Sequence, residues 1–195
     1  MDLASRREID SFWEGVKGSP PDILINNAGI FPFEKFEDLS EDFYRKVMAV
    51  NLDSVVWMCQ NFIKLRGKQG GVIINVGSIE AFLPFMEDLA HYTVSKAGVI
   101  ALTRALAREY GRKRYRINVV VPGGIMTRGV KWTMREVLKG RIGFIFAARK
   151  FMERLPMGRF GDPDEVARVM VFLSSDMASY IHGAVIPVDG GFLSS

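Results

Sequence analysis

Tyr92 and Lys96 stand four residues apart in Tyr92-Thr93-Val94-Ser95-Lys96, and on a helix that spacing puts two side chains on one face. A phenol and an ammonium can then address a single site. A free phenol titrates near ~10, too high for a base at neutral pH. A neighbouring cation favours the phenolate and draws that value down. Such a pair takes a proton from an alcohol, or returns one to a nascent alkoxide, while hydride moves elsewhere. Single pairs of this kind recur by chance on helices, so the surrounding sequence decides what this one means.

The elements that must position the pair alternate short apolar runs with longer helical patterns, which is the α/β signature. Ile23-Leu24-Ile25 predicts a buried strand running into Asn26-Asn27-Ala28-Gly29. Ser40, followed by Glu41 and Asp42, supplies a cap oxygen and early negative charge for a helix to Leu65, with Gly67 beyond its end. Val72 to Val76 predicts a second strand, ending in Gly77-Ser78. A long helix is expected over Leu89 to Arg112, with Val94, Ala97, Gly98, Ala101, Leu102, Ala105 and Leu106 on one side. Ile117 to Val121 predicts a third strand, stopped by Pro122-Gly123-Gly124. Residues 127–155 read as a helical excursion. Asp162-Pro163-Asp164-Glu165 starts another helix, and Ala184 to Val188 is a last strand closed by Asp189-Gly190-Gly191. Near-continuous apolar strands joined by helices imply a parallel sheet covered on both faces.

Composition narrows the classes. A chain of 195 residues, 48% hydrophobic and 25% charged, can fold as one domain with its own core. The single Cys59 excludes an internal disulfide and a cysteine-based metal site. With only His91 and His182 as histidines, no metal site is expected. The thiol content suits a reducing, cytoplasmic setting. No signal peptide and no bilayer-length apolar run is legible. The net charge is +4, and Arg128 to Arg154 holds eight basic residues. Without zinc-finger spacing or an RNA-binding signature, that charge reads as a solvated face rather than a nucleic-acid surface.

From about Asp2 to its C-terminus the sequence resembles the short-chain dehydrogenase/reductase family, most of all its 3-oxoacyl-thioester reductase and sugar or alcohol dehydrogenase members. Asn26-Asn27-Ala28-Gly29 is similar to the family's Asn-Asn-Ala-Gly element, and Asn51 falls at its helix asparagine. Ser78 lies just past a strand, fourteen residues before Tyr92. Pro122-Gly123-Gly124-Ile125-Met126-Thr127 resembles the Pro-Gly-x-Ile-x-Thr stretch, and Val188-Asp189-Gly190-Gly191 the closing motif. The resemblance implies a Rossmann-like, doubly wound parallel sheet and an NAD- or NADP-dependent oxidoreductase that interconverts a secondary alcohol and a ketone.

The same resemblance implies roles. Tyr92 would be the general acid/base and Ser78 would position the substrate oxygen. Lys96 would lower the Tyr92 pKa and bind the nicotinamide ribose, and Asn51 would hold a water linking Lys96 to solvent. Asn27, Ala28 and Gly29 would line the cofactor together with Tyr92 and Lys96, while Pro122, Gly123, Ile125 and Thr127 would cradle its nicotinamide end. Residues 128–155 would form a substrate lid, with Trp132, Met134, Phe144, Ile145, Phe146, Phe151 and Met152 facing an apolar substrate. Glu80 beside the His91-Tyr92 pair is similar to sugar dehydrogenases of the family, and His91 is expected at the pocket entrance or on the surface. Asn26 reads as structural, and Cys59 and His182 as structural or incidental. The small-residue face of the 89–112 helix implies a homo-oligomer, a dimer or tetramer, with no nucleic-acid or membrane partner.

The family's glycine-rich cofactor turn is not found in the sequence, so the fold is expected to be N-terminally truncated. The residues Asp2-Leu3 are similar to the end of the family's third strand, which places roughly two βα units, some ~60 residues, before them. Two expectations follow: weakened dinucleotide affinity, and an apolar strand edge left open at Ile23–Ile25. The alternative reading is an impaired fragment that serves as an interaction or assembly module.

Overall fold

Four short apolar runs become the strands of one parallel sheet. In the computed structural model, which describes residues 1–127, 129–130 and 149–195, these are β1 (Ile23–Asn26), β2 (Gly71–Val76), β3 (Tyr115–Pro122) and β4 (Val185–Val188), in spatial order β1-β2-β3-β4. Ile74 pairs with Ile25 on one side and Asn118 on the other, and Val120 pairs with Ile186. Parallel neighbours need crossovers, and helices supply them.

Successive side chains on a strand face opposite ways, so each strand feeds two cores. Ile73, Ile117, Val119 and Val121 join Leu24, Val55, Phe62 and Val99 in the larger one. It is covered by α1 (Arg6–Gly15), α3 (Ser54–Arg66) and α4 (Ala90–Tyr110). Ile74, Val76 and Val120 build the smaller one under α5 (Pro163–Ser174), with Val166, Met170 and Leu173. Helices on both faces confirm the doubly wound reading. On the α5 side, the edge strand β1 leaves Ile23 and Ile25 exposed, at 42% and 44%.

The long helix expected from Ser40 to Leu65 is present but interrupted. Ser40 caps α2 (Glu41–Met48) by accepting from the Phe43 amide. A π-helical turn at Ala49–Asp53 then joins it to α3, which ends at Gly67 with φ +52°. Such turns are rare and occur mostly as single turns inside α-helices, so helical spacing alone does not predict them. Asp162 caps α5 through a complete capping box with Glu165. Arg116, in the basic run after α4, reaches a different helix end. Its guanidinium donates to the carbonyls of Leu173, Ser174 and Ser175 at the end of α5, and to that of Ala178, where a cation complements the dipole.

Polar groups inside the sheet are paired in a chain. Asn26 Nδ2 donates to Asn75 Oδ1 at 2.8 Å, Asn75 Nδ2 to Thr103 Oγ1 at 2.9 Å, and Thr103 Oγ1 to the Val99 carbonyl at 2.8 Å. Asn75 and Thr103 are fully buried, and Asn26 also donates to Cys59 Sγ. This chain ties β1 and β2 to α4, so Asn26 and Cys59 are structural, as expected. Replacing Thr103 with Val keeps the shape but strands a buried amide proton, at a cost of about 1–3 kcal/mol. Urea denaturation should show that loss, and an unchanged midpoint would refute the structural role given to the chain.

Candidate active site

The carboxyl ends of β1, β2 and β3 open on one side of the sheet, where ligands bind in folds of this kind. A cavity of about 420 Å³ lies there. Gly77 at the end of β2 donates its amide to the Val120 carbonyl. A Cβ at this position would lie 3.2–3.3 Å from Val121, Ile100 and Val119. The missing side chain therefore lets α4 pack close to the strand ends. Ser78 follows and accepts the Glu80 amide at 3.2 Å, capping a short turn at Ile79–Ala81. Tyr92 lies in the first turn of α4 and Lys96 one turn further, so both reach the cavity that Ser78 lines.

The three side chains meet. The Ser78 hydroxyl and the Tyr92 phenol line the same cavity, and Ser78 acts there as a polar neighbour that favours the phenolate. Lys96, 5% exposed, donates from Nζ to the Val76 carbonyl at 2.9 Å and stands 5.8 Å from the Tyr92 ring centre. Burial disfavours its charge and lowers it to about 8. Burial pushes the Tyr92 pKa up, the Ser78 hydroxyl draws it down, and the Glu80 charge raises it.

Asn51 lies behind the cavity rather than on it. Fully buried in the π-helical turn, it accepts the Ile30 amide and donates to the Ile30 carbonyl, each at 2.8 Å, and reaches Ser95 Oγ at 3.2 Å. It thereby fixes the loop that carries Asn27, Ala28 and Gly29. Asn27 and Gly29 line the cavity and Ala28 is exposed beside them. A Cβ on Gly29 would lie 3.3 Å from Asn51 Oδ1 and 3.4 Å from Lys96 Nζ, so glycine keeps this approach to the ammonium open. From the far side come Pro122, Gly123, Ile125 and Thr127. Gly123 packs on Asp189 of the closing motif, Ile125 bridges to Gly161, and Thr127 Oγ1 accepts the Val130 amide.

His91 differs from its expected place. It is 2% exposed, its Nε2 is 2.8 Å from the Pro32 carbonyl, and its ring meets Phe43 edge-on. Being one position from Tyr92 on α4 turns it away from the cavity and into the packing against α2. His182 is structural, accepting the Ile117 amide at Nδ1 and donating to the Ala107 carbonyl from Nε2. Of the expected lid, residues 128 and 131–148 lie outside the described residues, and with them Trp132, Met134, Phe144, Ile145 and Phe146. Phe151 is described and lines the cavity, stacked between Phe160 and Phe192.

Sequence reasoning missed part of the lining. Phe31, Phe33, Phe85, Met86, Leu89 and Phe160 face the same space, and Phe31 meets Tyr92 edge-on with ring centres 6.4 Å apart. Glu80, noticed only for its resemblance to sugar dehydrogenases, is 3% exposed and lines the cavity. Its carboxyl accepts the Phe85 and Met86 amides, and burial pushes it up to about 7.

A four-stranded parallel sheet with this hydroxyl pair at its carboxyl ends defines a Rossmann-like enzyme fold. A family model described as enoyl-(acyl carrier protein) reductase matches residues 1–193, and the chain belongs to that short-chain dehydrogenase/reductase family. Similar proteins include an L-rhamnose 1-dehydrogenase (NAD(P)(+)) of Azotobacter vinelandii, 37% identical over 172 residues that make up 87% of this chain and 64% of the relative. A 3-oxoacyl-[acyl-carrier-protein] reductase of Aquifex aeolicus is 37% identical over 98% of this chain and 74% of its own length. The chain thus spans under two thirds of the first relative and about three quarters of the second. Among solved structures, a gluconate 5-dehydrogenase from Burkholderia cenocepacia J2315 in complex with NADP and tartrate matches with TM-score 0.88 and 26% identity. The match covers the whole of this chain and 74% of that one. Levodione reductase matches with TM-score 0.89 and 31% identity, over 100% and 76%. Among the described residues, no helix is long and apolar enough to cross a membrane.

Proposed function

We propose that this protein is an NAD(P)-dependent oxidoreductase interconverting a secondary alcohol and a ketone. The observation that carries the reading is the convergence of Ser78, Tyr92 and the buried Lys96 on one cavity at the carboxyl ends of the strands. The relatives' chemistry supports it. Asn27, Ala28 and Gly29 on one rim, and Pro122, Gly123, Ile125 and Thr127 on the other, would hold the cofactor. The open approach over Gly29 to Lys96 fits such a ligand. Bound there, the cofactor supplies or accepts the hydride.

The chain's own residues handle the proton. Ser78 donates to the substrate oxygen and orients it towards Tyr92. In the oxidising direction the Tyr92 phenolate takes the hydroxyl proton as the C–H hydride departs, and in reduction the phenol returns it. Lys96 spends one N–H on Val76 and has two left for the cofactor ribose. Asn51 braces the Ile30 backbone, and a second lone pair on its Oδ1 can accept from the water proposed to carry the proton outward. The residues exposed along α4 include Val94, Ala97, Ala101 and Ala105, a face suited to a homo-oligomer, and the buried free Cys59 suits a reducing cytoplasm.

The test is a screen of the full-length gene product with NAD and NADP against secondary alcohols, sugars and 3-oxoacyl thioesters, following nicotinamide absorbance. Saturable turnover with one class is the expected result. No turnover with either cofactor in either direction would overturn the reading.

A further inference from the structure

Glu80 is a buried carboxyl on the mainly apolar side of the active-site cavity. Ile79, Phe85, Met86, Leu89 and Phe151 surround the space it borders, and burying an ionisable group in such company is unfavourable without compensation. Its compensation is thin. The Phe85 and Met86 amides lie 3.3 Å from its oxygens, long for charge-assisted hydrogen bonds. Among the described residues no lysine or arginine pairs with it. Burial leaves it with a pKa pushed up to about 7. Each of its oxygens keeps a second lone pair.

Its place relative to the chemistry is fixed by the Ile79–Ala81 turn. Glu80 follows Ser78 by two residues, binds Ser78 Oγ through its own amide, and acts electrostatically on Tyr92. A substrate oxygen held by Ser78 and Tyr92 therefore has its neighbouring substituent beside a hydrogen-bond acceptor of negative charge. We propose that Glu80 is a specificity-determining residue that accepts a hydrogen bond from a hydroxyl on the carbon next to the reacting one, so that the substrates are vicinal diols and α-hydroxy ketones. This rests on the oxidoreductase reading above and names its substrate class. The same carboxyl repels a carboxylate in that position.

The matched probes share a phenyl group suited to the aromatic lining and differ in one substituent: 1-phenylethanol, 1-phenyl-1,2-ethanediol, mandelate and 2-amino-1-phenylethanol. For the full-length protein, kcat/KM should favour the diol over 1-phenylethanol by at least about tenfold, as expected for a hydrogen bond to a charged group, with mandelate slowest. In Glu80→Gln and Glu80→Leu that ratio should fall towards one. If Glu80 only props the Phe85–Met86 backbone, both substrates suffer alike and the ratio stays put, which overturns the proposal. A preference for the amine over the diol overturns it in favour of a cation subsite. Thermal-shift titration with the diol and with 1-phenylethanol separates the two readings. Tighter diol binding without turnover sinks the oxidoreductase reading but keeps the subsite, and equal binding sinks the subsite.

Discussion

Tyr92→Phe should lower kcat by roughly 10²–10⁴-fold while leaving the fold intact. That range is what a positioned general acid or base typically contributes. The substitution removes one oxygen from a partly buried ring held edge-on by Phe31, so packing is conserved. The Ser78 hydroxyl loses a polar neighbour but faces the cavity, where solvent replaces it. Cofactor affinity, read by fluorescence titration, should change less than about threefold, because Lys96 keeps its bond to Val76 and its remaining protons. The split between lost kcat and retained binding marks a group that acts in the transition state. Turnover within about threefold of wild type would rule Tyr92 out as the proton donor. The raised phenol pKa adds a second reading of the same experiment. In the wild type, oxidation should quicken as pH rises towards the phenol's range, since the base form is the phenolate, and that limb should vanish in the variant.

The centre of the sheet was legible because β2 and β3 are buried on both faces and therefore nearly continuously apolar. β2 and β3 were placed to within one or two residues of their observed ends for that reason. The opposite case is α1. Its sequence Arg6–Gly15 is half charged and buries only Ile9 and Trp13, a single i,i+4 pair too short to set a pattern. Its stability comes from contacts distant in sequence, such as Trp13 on Phe62 and Arg6 on Gln60 and Trp57. The π-helical turn at Ala49–Asp53 was equally silent, although it is what buries Asn51 against Ile30.

At the site, the residues named from the sequence were those whose type and order carry a motif: Ser78, Tyr92, Lys96 and the two cofactor rims. The residues missed owe their position to tertiary packing alone. A charged residue is expected at the surface, so nothing in Ile79-Glu80-Ala81 announces that Glu80 is 3% exposed. His91 was misplaced for a related reason. Its partners, Pro32 and Phe43, lie about fifty residues away, and helix spacing says only which face it occupies, not what covers that face. The same limit applies to Lys96: spacing brought it to Tyr92, but the Val76 carbonyl that accepts its Nζ proton belongs to another element.

The mismatch between Glu80 and its surroundings should be measurable as stability. Its folded-state pKa of about 7 lies above the ordinary carboxyl value of 4.5. At low pH both states are protonated and the residue costs nothing. Between about 4.5 and 7 the unfolded chain releases the proton and the folded one holds it, so stability falls as pH rises. Integrated over that window, the loss is about 2–3 kcal/mol. Lys96 acts with the opposite slope. Lowered to about 8, it is destabilising while charged and relieved once it deprotonates, so stability should recover above pH ~8. That recovery is short, because the Cys59 thiol, raised to about 12 by burial, begins to oppose it above about 9. Urea unfolding of the free protein should therefore show a minimum of stability near pH 7–8. Glu80→Gln should flatten the acid limb and raise stability at pH 7.5, and Lys96→Met should flatten the alkaline one. Stability that rises steadily from pH 5 to 7 in the wild type would refute the burial of an unpaired carboxyl here. A minimum near the working pH would show that the site holds two ionisable groups against their solvation preference, and that the rest of the fold supplies the difference.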